Sequence, residues 1–207
     1  MKKKDLLITN NIKDKYYRKK LIQKYSKNFT KVISEIKFDV ANSKKTLNII
    51  NKKFKFNFKI KDLKKFKKFN SIVFIGMGGS ILGAEAIYNF LEKKIKKKIS
   101  FLDDINYEKI LDLKKNGNFS KTLFIVISKS GNTIETISNL FSLNIVRKNS
   151  NNLIFISEKK NNFVFNLVKK LNLFYIEHKN FIGGRFSVLS DVGLIQGYLM
   201  GIDIQKF

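Results

Sequence analysis

Hydroxyl side chains and glycines gather in two short stretches, Gly76-Met77-Gly78-Gly79-Ser80 and Ser128-Lys129-Ser130-Gly131-Asn132-Thr133. Hydroxyls and backbone N–H groups are good donors to phosphate oxygens, and glycine lets an anion come close to the main chain. Each stretch follows an apolar run, Ile72-Val73-Phe74-Ile75 and Leu123-Phe124-Ile125-Val126-Ile127, and each precedes a helical pattern. A strand-to-helix turn of this kind aims amides and the positive end of the helix dipole at a bound anion. In the second loop Ser128, Ser130 and Thr133 place hydroxyls around a helix that starts near Thr133, and Lys129 adds a mobile positive charge. Glu135 complements the dipole of that helix rather than acting as a base. Each loop alone could be ordinary turn chemistry. Together they point to a site for a small phosphorylated molecule.

A third segment, Phe181-Ile182-Gly183-Gly184-Arg185-Phe186-Ser187-Val188-Leu189-Ser190, presents an arginine after two glycines. A guanidinium on a tightly turned backbone suits an oxyanion that develops during a reaction. Other phosphate motifs fit less well. A dinucleotide fingerprint beginning at Gly76 needs glycine where Ile81 stands, although Asp103 and Asp104 could supply a ribose-binding acid. A Walker A loop fails outright, because no Gly-Lys-Ser/Thr follows.

These loops need a scaffold, and from residue 71 the pattern supplies one. Strands are predicted at 71–76, 99–102, 122–128, 152–157 and 173–176, with helices at about 80–92, 106–115, 133–147 and 162–171. Short apolar strands alternating with amphipathic helices imply an α/β fold: a doubly wound, mostly parallel sandwich of five strands. Ligands in such sheets sit beyond the carboxyl ends of the strands, where both loops fall. An α-helical segment precedes the sheet. Tyr17, Leu21, Tyr25 and Phe29 recur at helical spacing, as do Ile60, Leu63, Phe66 and Phe69, and both stripes read as core faces. Ala41-Asn42-Ser43 is expected to open a helix through Leu47 and Ile50, with Asn42 or Ser43 as its cap.

Composition narrows the function. The 207 residues carry a formal net charge of +26, yet arginine, the bidentate reader of bases and phosphates, occurs only at Arg18, Arg147 and Arg185. Lysine, asparagine, isoleucine and phenylalanine abound, alanine is scarce and proline absent, as in a chain from an AT-biased genome. Nucleic acid is therefore not the expected partner. Without cysteine and with His178 as the lone histidine, thiolate and multi-histidine metal sites are excluded. No apolar run reaches the ~18 residues of a membrane span, and the N-terminal apolar stretch is too short for a signal peptide. The protein reads as cytoplasmic.

Gly78-Gly79-Ser80, then Ser128-Lys129-Ser130-Gly131-Asn132-Thr133-Ile134-Glu135-Thr136, then Gly183-Gly184-Arg185-Phe186-Ser187 resemble the glucose-6-phosphate isomerase family in order and spacing. The match is to the first of that family's two sugar-isomerase (SIS) domains and covers about residues 60–207. The G-G-R-[FY]-S segment is its most specific part, since the other two loops occur across SIS proteins. The resemblance implies a helical segment over 1–60, an SIS domain over 61–186, and a helix over 187–207 that leads toward an absent second SIS domain. It implies that Ser80, Ser128, Lys129, Ser130 and Thr133 hold the sugar phosphate, and that Gly79 and Gly184 allow close approach of the substrate. Arg185 would stabilise an enediolate.

The implied reaction interconverts glucose 6-phosphate and fructose 6-phosphate without metal or redox cofactor. A glutamate base moves a proton between C1 and C2 after ring opening by histidine and lysine. In the family those three groups lie beyond the point matching Phe207, and His178 is not in the position of the family's histidine, so it is assigned a structural role. The chain alone is expected to bind sugar phosphate without turnover, and the complete protein to form a homodimer. The helices around 12–30 and 187–200 are then expected to expose apolar surface. Two alternatives remain: a bifunctional phosphoglucose/phosphomannose isomerase, against which G-G-R-F-S argues, and a non-catalytic SIS module that senses phosphosugars.

Overall fold

The computed structural model describes residues 19–204. Five runs of β-branched and aromatic residues form one sheet: β1 (Ser71–Gly76), β2 (Lys98–Leu102), β3 (Thr122–Ile127), β4 (Leu153–Ser157) and β5 (Phe174–Glu177). The strand order is β2-β1-β3-β4-β5 and every pairing is parallel. The predicted strands agree with these to within a residue at each end. The α-helices among the described residues are α1 (Lys19–Ala41), α2 (Ile60–Leu63), α3 (Leu82–Leu91), α4 (Tyr107–Asn116), α5 (Ile134–Ser142), α6 (Phe163–Leu171) and α7 (Asp191–Met200).

Successive strand residues feed two separate cores, as a pleated strand covered on both faces requires. Ile72, Phe74, Leu123, Ile125 and Ile154 pack with Leu63 of α2, Ala84 of α3, and Ile195 and Leu199 of α7. Val73, Ile75, Phe124, Val126 and Phe155 pack with Ile110 of α4, Leu140 of α5 and Val164 of α6. The chain leaves β1 toward one edge of the sheet and β3 toward the other, so their outgoing loops diverge and leave a crevice between them. The register pairs Gly76 with Ile127, which sets the two strand ends level and the two loops side by side.

Four expectations are corrected. Ala41-Asn42-Ser43 ends a helix instead of starting one: Asn42 Oδ1 accepts from Lys44 N at 3.0 Å, a local bond that competes with helix continuation, and a 3₁₀ helix follows over Thr46–Ile50. The helix expected over 133–147 stops at Ser142, because Asn144 takes a left-handed φ of 54°. The stripe of Tyr25 and Phe29 on α1 is not a core face, since these side chains are 58% and 66% exposed; Tyr17 lies outside the described residues. The second stripe does enter the core, through Leu63, Phe66 and Phe69. The fourth correction concerns α7, where apolar exposure was expected and all ten residues are buried between α3, α2 and the sheet. No described helix is long and apolar enough to cross a membrane.

Candidate functional site

The loop after β1 coils into a 3₁₀ helix, Gly78–Ser80, and runs on into α3. Gly79 lies directly on the third segment: a Cβ here would fall 2.3 Å from the Gly184 carbonyl carbon and 2.6 Å from the Arg185 nitrogen. Any side chain would push the two segments apart. The buried Ser187 hydroxyl fastens the contact, 3.1 Å from the Gly79 carbonyl oxygen and 2.7 Å from that of Gly184. From α7, Gln196 Nε2 donates to the Ser80 carbonyl at 3.1 Å. Gly79, Ser80, Gly184 and Arg185 are thereby brought together. Arg185 is exposed near the start of the 3₁₀ helix Gly184–Leu189, and none of the ion pairs among the described residues involves it.

The loop after β3 is built from its own hydroxyls. Ser128 is buried; its Oγ accepts from Gly131 N at 3.1 Å and lies 2.9 Å from Thr133 Oγ1. Ser130 Oγ accepts from Asn132 N at 3.2 Å and lies 3.4 Å from Thr133 Oγ1. The loop is held against α6, where Val164 N donates to Gly131 O at 3.0 Å and Phe163 N to Asn132 Oδ1 at 2.9 Å. Gly131, with φ of 71°, sits so close to Asn162 that a Cβ would fall 2.0 Å from its Oδ1. Ser128, Ser130 and Thr133 form one cluster as the sequence suggested.

Helix caps distinguish these loops from the others. Asn106, Asn162 and Ser190 cap α4, α6 and α7 with side-chain oxygens. Ile81 before α3 and Thr133 before α5 make no such bond, and the Thr133 hydroxyl is turned to Ser128 and Ser130 instead. First-turn amides that lack a side-chain cap are ready donors for an anion. Among α3 to α7 the two helices that start at the crevice, α3 and α5, are thus the ones without a side-chain cap; the single-turn α2 also lacks one.

The phosphoglucose isomerase family model matches residues 22–207. The chain belongs to this family. A glucose-6-phosphate isomerase of Methanocaldococcus jannaschii is 36% identical over 160 residues, which cover 70% of this chain and 37% of that protein. A solved glucose-6-phosphate isomerase of Chlamydia trachomatis superposes with a TM-score of 0.55 at 29% identity, covering 65% of this chain and 27% of that one. A hypothetical protein of Thermus thermophilus, TT0462, shares the fold with a TM-score of 0.71 at 22% identity, covering 89% of this chain and 46% of that one. The chain spans about a third of the length of the curated relatives it matches, 34% and 37% for the first two.

Against this family background three further sequence expectations are decided by position. Lys129 is not a mobile charge: its Nζ donates to the Asn180 carbonyl at 2.7 Å and lies 3.7 Å from Glu158 Oε1. Two acceptors at the ends of neighbouring strands hold the ammonium in place. Asp103 and Asp104, the candidates for a ribose-binding acid, both pair with Lys109 of α4, at 3.1 and 3.2 Å. His178 is buried, with Nδ1 2.9 Å from the Lys179 carbonyl oxygen. Burial pushes its pKa below the usual imidazole value and nearby Lys129 adds to the effect, which fits a structural group.

Sequence reading missed the residues that join the pieces. Asn162 has a local signal, an Asn just before an apolar periodic run, typical of a cap. Ser187 stands within the arginine segment, but nothing local points its hydroxyl at Gly79. Gln196 has no signal at all; its partner is 116 positions away.

Proposed function

We propose that this chain binds the phosphate of glucose 6-phosphate or fructose 6-phosphate in the crevice between β1 and β3, as the phosphate side of a glucose-6-phosphate isomerase. The observation that carries this reading is the meeting of three segments: two loops with uncapped helix starts, and Gly184-Arg185 in backbone contact with Gly79. Ser80, Ser128, Ser130 and Thr133 supply hydroxyls to the phosphate, and the α5 amides supply N–H donors. Lys129 adds positive field at short range rather than a direct bond. Gly79 and Gly184 keep side chains out of the substrate's path. Arg185 offers a guanidinium, free of any carboxylate partner among the described residues, to the oxyanion of an enediolate.

Moving a proton between C1 and C2 also needs a carboxylate or imidazole within hydrogen-bond reach. Among the residues that carry the resemblance only Glu135 is one, and it serves the dipole of α5 rather than acting as a base, while His178 is buried and depressed in pKa. The proposal includes binding without turnover by this chain unaided, and a cytoplasmic, homodimeric protein.

Calorimetric titration of the full chain with glucose 6-phosphate, fructose 6-phosphate and glucose tests the reading. Both phosphates are expected to bind and glucose is not. The double variant Ser128→Ala, Thr133→Ala is expected to bind at least about tenfold more weakly, since a hydrogen bond to a charged group contributes ~1.5–3 kcal/mol. Unchanged binding by that variant would move the site elsewhere. Isomerisation of fructose 6-phosphate by the chain alone would overturn the assignment of the missing base.

A further inference from the structure

Lys129 belongs to the phosphate loop, yet its side chain reaches across the ends of three strands. Its main-chain carbonyl accepts from Glu158 N at 3.0 Å, just beyond β4. Its ammonium lies 3.7 Å from Glu158 Oε1 and donates at 2.7 Å to the carbonyl of Asn180, in the segment that follows β5. Glu158 is mostly shielded, and its other oxygen pairs with Lys160 at 2.5 Å. Asn180 stands five residues before Arg185, and the neighbouring Phe181 carbonyl is held by the Thr46 hydroxyl at 2.7 Å. One cation therefore ties the loop of Ser128, Ser130 and Thr133 to the segment that presents the arginine.

We propose that Lys129 is a positioning residue that couples occupancy of loop 128–133 to the placement of segment 180–187; this rests on the phosphate-binding reading above. A phosphate arriving at the loop brings negative charge near an ammonium already shared between Glu158 and Asn180. The ammonium is stabilised by the anion and its charge-assisted bond to Asn180 is retained, so the segment is held more firmly when the loop is filled. Glu158 acts in the other direction, because its carboxylate neutralises the charge that the phosphate would meet. Binding free energies are reciprocal, so whatever loosens the Asn180 bond also weakens phosphate binding.

The test is amide hydrogen exchange on the full chain with and without inorganic phosphate. In the parent chain, phosphate is expected to slow exchange in both 128–133 and 180–187. In Lys129→Met, slowing persists at 128–133 with affinity reduced about fivefold or more, the low end of common coupling strengths, and 180–187 no longer responds. In Glu158→Gln, phosphate binds more tightly and 180–187 still responds. A lysine with only a packing role would give losses of the same sign in both variants. Continued response of 180–187 in Lys129→Met overturns the coupling, as does weaker phosphate binding in Glu158→Gln. Should Lys129→Met not fold, Lys129→Gln takes its place and the response of 180–187 to phosphate decides in the same way. Absence of slowing at 128–133 in the parent chain sinks the phosphate-binding reading itself, an outcome distinct from failure of the coupling.

Discussion

α1 and α7 are both rich in apolar residues, and the sequence suggests the same fate for each, yet they end in opposite environments. α1 leaves Tyr25, Phe29, Val32 and Ile36 exposed along one stripe and touches mainly the 3₁₀ turn at Thr46–Ile50. α7 is buried on every side, wedged among α3, α2 and the sheet. The difference teaches where the stable unit lies. A helix apolar all round belongs in an interior, while a helix with one apolar stripe needs one partner surface. α7 finds its interior within this chain, and it carries two polar groups inward: Gln196, which holds the loop after β1, and Asp191.

Substitutions that treat the two helices alike can break this contrast. Leu199→Ala in α7 removes a fully buried side chain and is expected to cost ~2–5 kcal/mol by urea unfolding. A cost under ~1 kcal/mol would mean that α7 is not part of the cooperative core. Gln196→Leu leaves the Ser80 carbonyl without its donor and is expected to cost ~1–3 kcal/mol. It should also weaken phosphate binding, which a loss of packing elsewhere in α7 would not do in proportion.

Asp191 sharpens the comparison through pH. Its carboxyl is 1% exposed; Oδ1 accepts from the backbone of Asn57, while Oδ2 is buried with no hydrogen-bond partner. Burial raises its pKa above the usual carboxylate range, against the smaller opposing effects of the Asn57 amide and Lys179. The folded chain then binds this proton more tightly than the unfolded chain. Its contribution is fully present below the unfolded value and is lost as pH rises through the folded one. Asp191→Asn is expected to flatten that fall and to gain about 1 kcal/mol at neutral pH, in unfolding curves recorded across pH. A steeper fall in the variant would contradict the sign. The smallest effect belongs to α1: Phe29→Ser should change stability by less than about 0.5 kcal/mol while lowering self-association in sedimentation. A large loss of stability would show that α1 is structural after all.

Much of the fold was legible because its signals are local. Uniformly apolar runs such as Leu123–Ile127 mark strands covered on both faces, and glycine and hydroxyl clusters at their ends mark turns. Less legible were the helix boundaries. Asn42 and Asn144 can open or close a helix with the same side chain, and only their backbone angles and partners decide which. At the site, the hydroxyls of Ser128, Ser130 and Thr133 were readable because six consecutive residues of one turn contain them all. The fixed position of the Lys129 ammonium was not legible, because a long side chain finds its partners across strands and not along the chain.

Residue types and spacing by themselves determined the alternating α/β pattern, the two loops beside β1 and β3 and the two glycines before Arg185. Each rests on interactions within a few positions, or on hydrophobic periodicity, and these are written directly in the order of residues. Tertiary structure alone decided that Gly79 meets Gly184, that Ser187 and Gln196 lock that meeting, that Lys129 is tied to Asn180, and that α7 is interior while α1 is not. These depend on which surfaces the sheet's strand order brings together, and a linear pattern does not encode distance across a sheet.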